Sequence, residues 1–261
     1  MKQKIYQVDA FAEQLFSGNP AAVCPLDHWP GDDLLQKIAM ENNLAETAYF
    51  VKAGDYFQLR WFTPTTEVDL CGHATLASAY VLFHQLGYKE KLIRFQSPRS
   101  GLLSVSREDE LLTLDFPADT ITEVSVTPDL TRGLNILPQK IFKGKSDYMF
   151  IYEQEEQVKN IIPDFPAIQT INARGIIVTA RGKEVDFVSR FFAPQSGVNE
   201  DPVTGSAHTT LTPFWSRVLN KRVLIAKQLS ARGGFLQCED CGERVRISGQ
   251  CRLYLEGAIF I

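Results

Sequence analysis

The sequence lacks the usual signs of a protein that binds nucleic acid, nucleotides or membranes. Its net charge is −4 and it has no dense run of Lys and Arg, so we expect no nucleic-acid partner. Neither a P-loop nor a GxGxxG motif is present, so the glycines predict no phosphate cradle. The first fifteen residues have no apolar core of the signal-peptide kind. The uncharged run 70–88 contains too many polar residues for a bilayer span, so no membrane partner is expected.

Cysteine is also scarce. The five thiols are an odd number without a secretion signal, which favours reduced cysteines and a cytoplasmic location. The Cys238-x-x-Cys241 pair resembles half of a zinc site, with Cys251 as a possible third ligand and no histidine nearby to complete it. Because structural zinc sites are almost always four-coordinate, we interpret the pair as a reduced hairpin turn and expect no metal.

Charge is absent from one helical stretch. Between Ala74 and Leu86 there is no Asp, Glu, Lys or Arg. A helix that is apolar or small on every side is a buried one, so this stretch predicts a central helix enclosed by the rest of its domain. Its start at Gly72-His73 offers unpaired N–H groups and the positive end of the helix dipole, which favours a small anion.

The same pattern occurs twice. Four identities recur at an offset of 130, and after a three-residue insertion Gly72-x-Ala74 matches Gly205-x-Ala207; the four pairs are Arg60 and Arg190, Phe62 and Phe192, Pro64 and Pro194, and Val68 and Val198. An internal duplication explains this best. We therefore predict an α+β protein of two similar domains, 1–117 and 118–261, each a curved mixed sheet around a central buried helix. The last strand is a candidate to return to the first domain.

Glu46 is the first candidate for chemistry. It lies among the first residues of a predicted strand over 44–51 and has no Lys or Arg within five residues on either side. A partly desolvated carboxylate there would have its pKa raised toward the range useful for proton transfer, whereas the alternative is an edge-strand acid that faces water. His73 either contacts a substrate or is held by packing at the helix start. Cys71 is a candidate activated thiol, because a helix N-terminus lowers the pKa of a thiol.

The second helix start has a polar cluster of its own. Asp201 either binds a substrate amine or hydroxyl or caps the helix, and Ser206 lies beside it. The matching stretch, DPVTG (201–205), has no cysteine, which argues against racemisation by two thiols. Because the two glycine-led starts are related by duplication, we expect them to face each other across an interdomain cleft and to hold a small acid there.

Four motifs carry a family resemblance: SGNPAAV (17–23), NNLAETAYF (42–50), VDLCGHATLASA (68–79) and EDPVTGSAH (200–208). They resemble the PhzF-like isomerases of phenazine biosynthesis, whose architecture is similar to that of diaminopimelate epimerase. The resemblance implies the diaminopimelate-epimerase-like fold, a homodimer, and catalysis without a cofactor, with Glu46 as the proton-transfer group. It assigns substrate binding to six residues: Asn19, Gly72, His73, Asp201, Gly205 and Ser206.

The expected function is a cofactor-independent isomerase or epimerase that moves a proton on a small carboxylate-bearing substrate. The alternative is a non-catalytic small-molecule-binding or scaffold protein that keeps the cleft, and a weaker one is a racemase that uses Cys71 alone. The phenazine enzyme has a serine where this chain has Ala45, and a glutamine after the residue equivalent to Ser206 that is missing here. Those departures, with Cys71, point away from the phenazine substrate itself.

Overall fold

The computed structural model describes residues 2–261 as two compact units. The first comprises the chain up to Asp115 together with Ser248–Ile261, and the second comprises Phe116–Ile247. These ranges differ from the predicted 1–117 and 118–261 mainly at the end of the chain. The last strand pairs antiparallel with the first, from Lys2 opposite Phe260 to Ala10 opposite Cys251, and this ladder places it in the first unit.

The elements that begin in the first unit include two helices: α1 (Asp32–Asn42) and α2 (Gly72–Tyr80). A short π-helical segment, Val81–Gln85, extends α2. The strands are β1 (Lys2–Ala10), β2 (Asn19–Leu26), β3 (Glu46–Ala53), β4 (Tyr56–Phe62), β5 (Glu67–Val68), β6 (Leu92–Ser97), β7 (Gly101–Glu108) and β8 (Leu111–Pro117).

The remaining helices are α3 (Pro128–Thr131), α4 (Glu155–Lys159), α5 (Phe165–Gln169) and α6 (Gly205–Leu219), with a 3₁₀ turn at Pro194–Ser196. The remaining strands are β9 (Thr122–Val124), β10 (Lys140–Lys143), β11 (Asp147–Ile151), β12 (Gly175–Arg181), β13 (Phe187–Ala193), β14 (Val198–Glu200), β15 (Val223–Gln228), β16 (Gly234–Asp240), β17 (Arg244–Gly249) and β18 (Cys251–Phe260).

The predicted repeat is visible in the strand pairings. In the first unit β1 and β2 are antiparallel, β2 and β3 parallel, β3 and β4 antiparallel, and β4 and β6 parallel. The same sequence of directions recurs in β10–β11, β11–β12, β12–β13 and β13–β15. Each unit therefore contains a mixed sheet, and the two units share one topology.

The central helix of the first unit is buried as predicted. Every residue of α2 from Gly72 to Ala79 is buried, and the helix packs against β1, β2 and β3. Its buried hydroxyl groups are paired within the helix: the Thr75 hydroxyl donates to the Cys71 carbonyl at 2.6 Å and the Ser78 hydroxyl donates to the Ala74 carbonyl at 2.7 Å. Since each hydroxyl bonds within its own helix, α2 needs no polar surface outside.

The second central helix tolerates a proline. Pro213 would kink this helix unless its regular part started later, and α6 is helical from Gly205 to Leu219 with Pro213 inside it. A residue at 213 would normally donate its N–H to the carbonyl of Thr209, and proline has no such proton. Here the Asp119 N–H donates to that carbonyl at 3.1 Å, so the acceptor stays paired.

Matched arginine–glutamate pairs lie just before both helix starts. Arg60 makes two hydrogen bonds to Glu67, at 2.7 and 2.9 Å, and joins β4 to β5. Arg190 makes two to Glu200, at 2.8 and 3.0 Å, and joins β13 to β14. Two-point contacts of this kind fix both position and angle, so they set how the chain enters each helix.

The part of the chain from residue 2 to 261 contains no helix that is both long enough and apolar enough to cross a bilayer.

Candidate active site

The first helix start brings together residues from three elements. Asn19 is the first residue of β2, Glu46 is the first residue of β3, and His73 follows Gly72 at the start of α2. The two strands run parallel with Ala21 opposite Glu46, so their beginnings meet at one edge of the sheet. Because α2 packs against both strands, its N-terminus lies at the same edge.

His73 is the centre of this group. The side-chain amide nitrogen of Asn19 lies 3.2 Å from His73 Nδ1, and His73 Nε2 lies 3.2 Å from a carboxylate oxygen of Glu46. An amide NH₂ group can only donate, so Nδ1 accepts and the imidazole proton resides on Nε2. The protonated Nε2 lies in close contact with the carboxylate without forming a hydrogen bond to it, and the hydrogen bond from Asn19 sets the tautomer and the orientation of the ring.

Burial keeps this histidine neutral. His73 is 5% exposed, and the loss of hydration lowers its pKa to about 3. A group with so low a pKa is a poor base at neutral pH. The side chain of Glu46 is 16% exposed, in agreement with the predicted partial desolvation.

Cys71 lies at the N-cap of α2, where its sulfur is 3.5 Å from His73 Nδ1. Glu46, Cys71 and His73 each place one possible metal-binding atom within 4.8 Å of the others. Among residues 2–261, this is the one group of three or more His, Cys, Asp or Glu side chains whose ligand atoms lie close enough together to hold a metal ion. The other four cysteines do not belong to it.

The Cys238-x-x-Cys241 pair spans the end of a strand. Cys238 is fully buried in β16, and burial raises its pKa to about 12. Cys241 is half-buried in the turn that follows, where its N–H donates to the carbonyl of Arg244 at 2.9 Å. Burial also raises the pKa of Cys251 to about 12. The pair therefore occupies a strand and a turn, as the hairpin interpretation expects.

At the second helix start, Thr204 is the N-cap of α6 and Gly205 its first residue. The Thr204 hydroxyl donates to the Asp201 carboxylate at 2.6 Å. The side chain of Gln228 is fully buried, and its amide oxygen accepts from the Thr204 N–H at 2.9 Å. Its amide nitrogen donates to the Asp201 carbonyl at 2.8 Å. His208 Nδ1 donates to the Thr204 carbonyl at 2.8 Å. The loop that carries Asp201 is thus held through its backbone and side chain together.

Arg174 lies at the same helix start. Its Nη1 donates to the hydroxyl of Ser206 at 2.9 Å, and two further hydrogen bonds join it to the buried carboxylate of Asp147. Burial disfavours the charge on Arg174, but the hydrogen bonds and the charge of Asp147 outweigh it and raise its pKa. The guanidinium is therefore charged, and Asp147 holds it in place.

The repeat allows the two starts to be compared position by position. Thr47 lies opposite Phe62 in β3–β4, and Ile176 lies opposite Phe192 in β12–β13. Glu46 therefore corresponds to Gly175. A Cβ at Gly175 would lie 2.5 Å from the ring of Phe191, so no side chain fits there without displacement of that ring. The second unit has no carboxylate at the position of Glu46.

The structure thus groups the residues predicted from sequence into one cluster per unit. The first contains Asn19, Glu46, Cys71, Gly72 and His73, and the second contains Asp201, Gly205 and Ser206. Sequence reasoning missed Arg174, Asp147 and Gln228. The spaced identities do not extend to this strand, and only the strand register aligns Arg174 with Ala45.

Comparisons with known proteins agree with this architecture. The family model for phenazine biosynthesis-like proteins, PhzC-PhzF, matches residues 8–257. An uncharacterized isomerase of Pseudomonas aeruginosa is 52% identical, with 100% of both chains covered. A crystal structure of a PhzF-family phenazine biosynthesis protein from Enterococcus faecalis is 46% identical, with a TM-score of 0.97 and 100% of both chains covered.

Solved structures with much lower sequence identity share the fold. A crystal structure of a probable proline racemase from Agrobacterium radiobacter gives a TM-score of 0.63 at 11% identity, covering 99% of this chain and 93% of that one. At that identity the likeness shows the fold alone. It confirms the predicted diaminopimelate-epimerase-like α+β fold. The sequence match over nearly the whole length, together with the relative named an isomerase, places the chain in the PhzF-like phenazine biosynthesis family of isomerases and epimerases.

Proposed function

We propose that this protein is a cofactor-independent isomerase that moves a proton on a small carboxylate-bearing substrate, with Glu46 as its acid and base. The observation that carries the proposal is the contact series from Asn19 through His73 to Glu46. In this series the Asn19 hydrogen bond orients the His73 ring, and the ring lies in close contact with the Glu46 carboxylate.

His73 orients Glu46 and leaves the proton transfer to it. Its Nδ1 faces Asn19 and its Nε2 faces Glu46, and burial lowers its pKa to about 3. Protonating the ring at neutral pH would cost roughly 5 kcal/mol, at about 1.4 kcal/mol for each pKa unit. A substrate proton therefore goes to Glu46, and the neutral ring helps to position the carboxylate.

The repeat favours a reaction with one base. The position that matches Glu46 is Gly175, which packs against the ring of Phe191. Epimerisation removes a proton from one face of a carbon and returns one to the other face, which suits two groups. A single carboxylate suits the transfer of a proton between two carbons on one face of the substrate. We therefore favour isomerisation, with a shift of a double bond, over epimerisation.

The N-termini of α2 and α6 supply hydrogen-bond donors for the negative charge that develops on the substrate. Removing a proton next to a carboxylate places negative charge on its oxygens, and preorganised N–H donors stabilise that charge. Gly72 and His73 begin α2, and Gly205 and Ser206 begin α6. These four residues, with Asn19 and Asp201, are the substrate-binding set of this proposal.

The test is hydrogen exchange in heavy water. Small carboxylic acids that have a hydrogen next to the carboxylate or a neighbouring double bond are incubated with the enzyme, and loss of the proton signal is followed by NMR. Glu46→Gln should lower the exchange rate by about 100-fold or more, which is the usual contribution of a general base. The matched control is Glu41→Gln at an exposed glutamate of α1, which should leave the rate unchanged. Retention of most exchange in Glu46→Gln would sink the assignment.

A further inference from the structure

The two helix starts carry opposite charges at nearly the same place in the repeat. His73 and Ser206 are both the second residue of their helix. In the first unit the start of the neighbouring strand supplies a carboxylate to His73, from Glu46. In the second unit the residue just before the corresponding strand, Arg174, supplies a guanidinium to Ser206. The second residue of each helix therefore has a charged side chain beside it, a carboxylate in the first unit and a guanidinium in the second.

Contacts on several sides fix the position of the Arg174 guanidinium beside the hydroxyl oxygen of Ser206. Two hydrogen bonds join it to Asp147, whose side chain is 4% exposed, and its central carbon lies 5.3 Å from the ring centre of Phe191. A third N–H donates to the Ser206 hydroxyl oxygen at 2.9 Å. Because Asp147 neutralises the cation, Arg174 attracts a distant anion only weakly. Its effect is therefore concentrated on Ser206.

This contact decides what the hydroxyl can do. A serine hydroxyl has one proton to donate and an oxygen that can accept. At Ser206 the oxygen accepts from a cation, and among residues 2–261 the structure shows no hydrogen bond that this hydroxyl donates. The hydroxyl proton is therefore available to a ligand, and the neighbouring cation makes it a stronger donor.

We propose that Arg174 is a positioning residue that makes Ser206 a hydrogen-bond donor to an anionic oxygen of the substrate. The proposal rests on the proposed function, since it takes the α6 start to be part of the substrate site. It deepens that function by naming the group bound there: an oxygen that accepts hydrogen bonds and carries negative charge, such as a carboxylate. A neutral amide at the same place would offer a weaker acceptor.

The first experiment needs no substrate. In a Cys241→Ser background, Ser206→Cys places a thiol beside Arg174, while four native thiols are buried: Cys24, Cys71, Cys238 and Cys251. The rate of alkylation by iodoacetamide against pH gives the pKa of the new thiol. A neighbouring cation lowers a thiol pKa. The thiolate fraction at pH 7 should therefore fall about tenfold or more when Arg174 is replaced by Gln, in the folded background described next.

Loss of Arg174 alone would leave Asp147 as a buried unpaired charge, which can unfold a protein. The comparison is therefore made with Arg174→Gln combined with Asp147→Asn, after thermal denaturation has shown that the variant is folded. The matched control is Arg222→Gln, which removes an exposed arginine elsewhere in the second unit. A thiol pKa that is the same with and without Arg174 would overturn the proposal.

The second experiment measures binding of benzoate, a simple aromatic carboxylate, by NMR titration. Arg174→Gln with Asp147→Asn should weaken binding about tenfold, the size expected for a hydrogen bond that involves a charged group. In a Ser206→Ala background the same change should alter affinity less than twofold. A tenfold loss that persists without the Ser206 hydroxyl would mean that Arg174 contacts the anion itself or acts on the fold, and would contradict the proposal.

Neither experiment depends on turnover. Failure of Glu46 as the base would appear as retained exchange in Glu46→Gln, with the thiol result unchanged. Failure of the Arg174 proposal would appear in the thiol pKa or in the binding cycle, with the loss of exchange in Glu46→Gln unchanged. The two outcomes are therefore distinguishable.

Discussion

His208 should make the second unit less stable in mild acid. It is fully buried in α6, and burial lowers its pKa to about 4, although its hydrogen bond to the Thr204 carbonyl partly opposes this. In the unfolded chain the pKa of a histidine is about 6.5. Between these values the unfolded state binds a proton that the folded state does not. The free energy of unfolding therefore falls as the pH falls from about 6.5 toward about 4.

The size of this loss follows from the two pKa values. At pH 5 protonation favours the unfolded chain by a factor of roughly 30, which is about 2 kcal/mol relative to pH 7.5. His208→Thr is the matched variant, because Thr75 is the equivalent residue of α2 and its hydroxyl makes the corresponding bond to the Cys71 carbonyl. The smaller side chain will lower stability at every pH, so the quantity of interest is the change between the two pH values.

The assay is urea denaturation at pH 7.5 and pH 5.0, followed by circular dichroism. Going from pH 7.5 to pH 5.0 should lower the free energy of unfolding of wild type by about 2 kcal/mol more than that of His208→Thr. Titration of carboxylates contributes equally to both proteins and cancels in the difference. The exposed histidine variant His84→Gln should lose as much stability as wild type. An equal loss in His208→Thr and wild type would refute the argument that burial keeps His208 neutral in the folded protein.

Three further substitutions test other contacts. Arg190→Met should lower the free energy of unfolding by about 3 kcal/mol in urea titration, because Glu200 and buried carbonyls lose their partner; a change below about 1 kcal/mol would contradict this. Cys71→Ala should keep most of the exchange activity, because the proposed base is a carboxylate; loss of exchange would favour the thiol mechanism. Asn19→Leu should lower kcat/KM about tenfold or more, since His73 loses its orienting donor and the substrate loses a proposed contact; an unchanged kcat/KM would exclude both roles.

Features that depend on local pattern were accessible from sequence. The absence of charge after Gly72 predicted a helix buried on every side, and α2 is buried from Gly72 to Ala79. The spaced identities predicted a repeat, and the strand pairings show one. Glu46 and His73 could be named because each lies next to a recognisable strand or helix start. Their contact at 3.2 Å follows once those starts meet at one sheet edge.

Features that depend on distant contacts were not accessible. Gln228 lies 24 residues from Thr204, and nothing in its own strand shows that the amide is fully buried against that loop. Arg174 lies 32 residues from Ser206, and only the strand register reveals that it stands one residue before the equivalent of Glu46. Polar side chains in a sheet take their role from the face and neighbour they meet, and both are set by register.

The central claim is that one carboxylate, Glu46, both removes and returns the proton. Its most direct test is a single-turnover reaction in ordinary water, with an active substrate that carries deuterium at the position that exchanges. Proton transfer by one shielded carboxylate predicts that part of the deuterium appears at the new position in the product. Complete loss of the label to solvent at the earliest times, with none transferred, would contradict the single-base account.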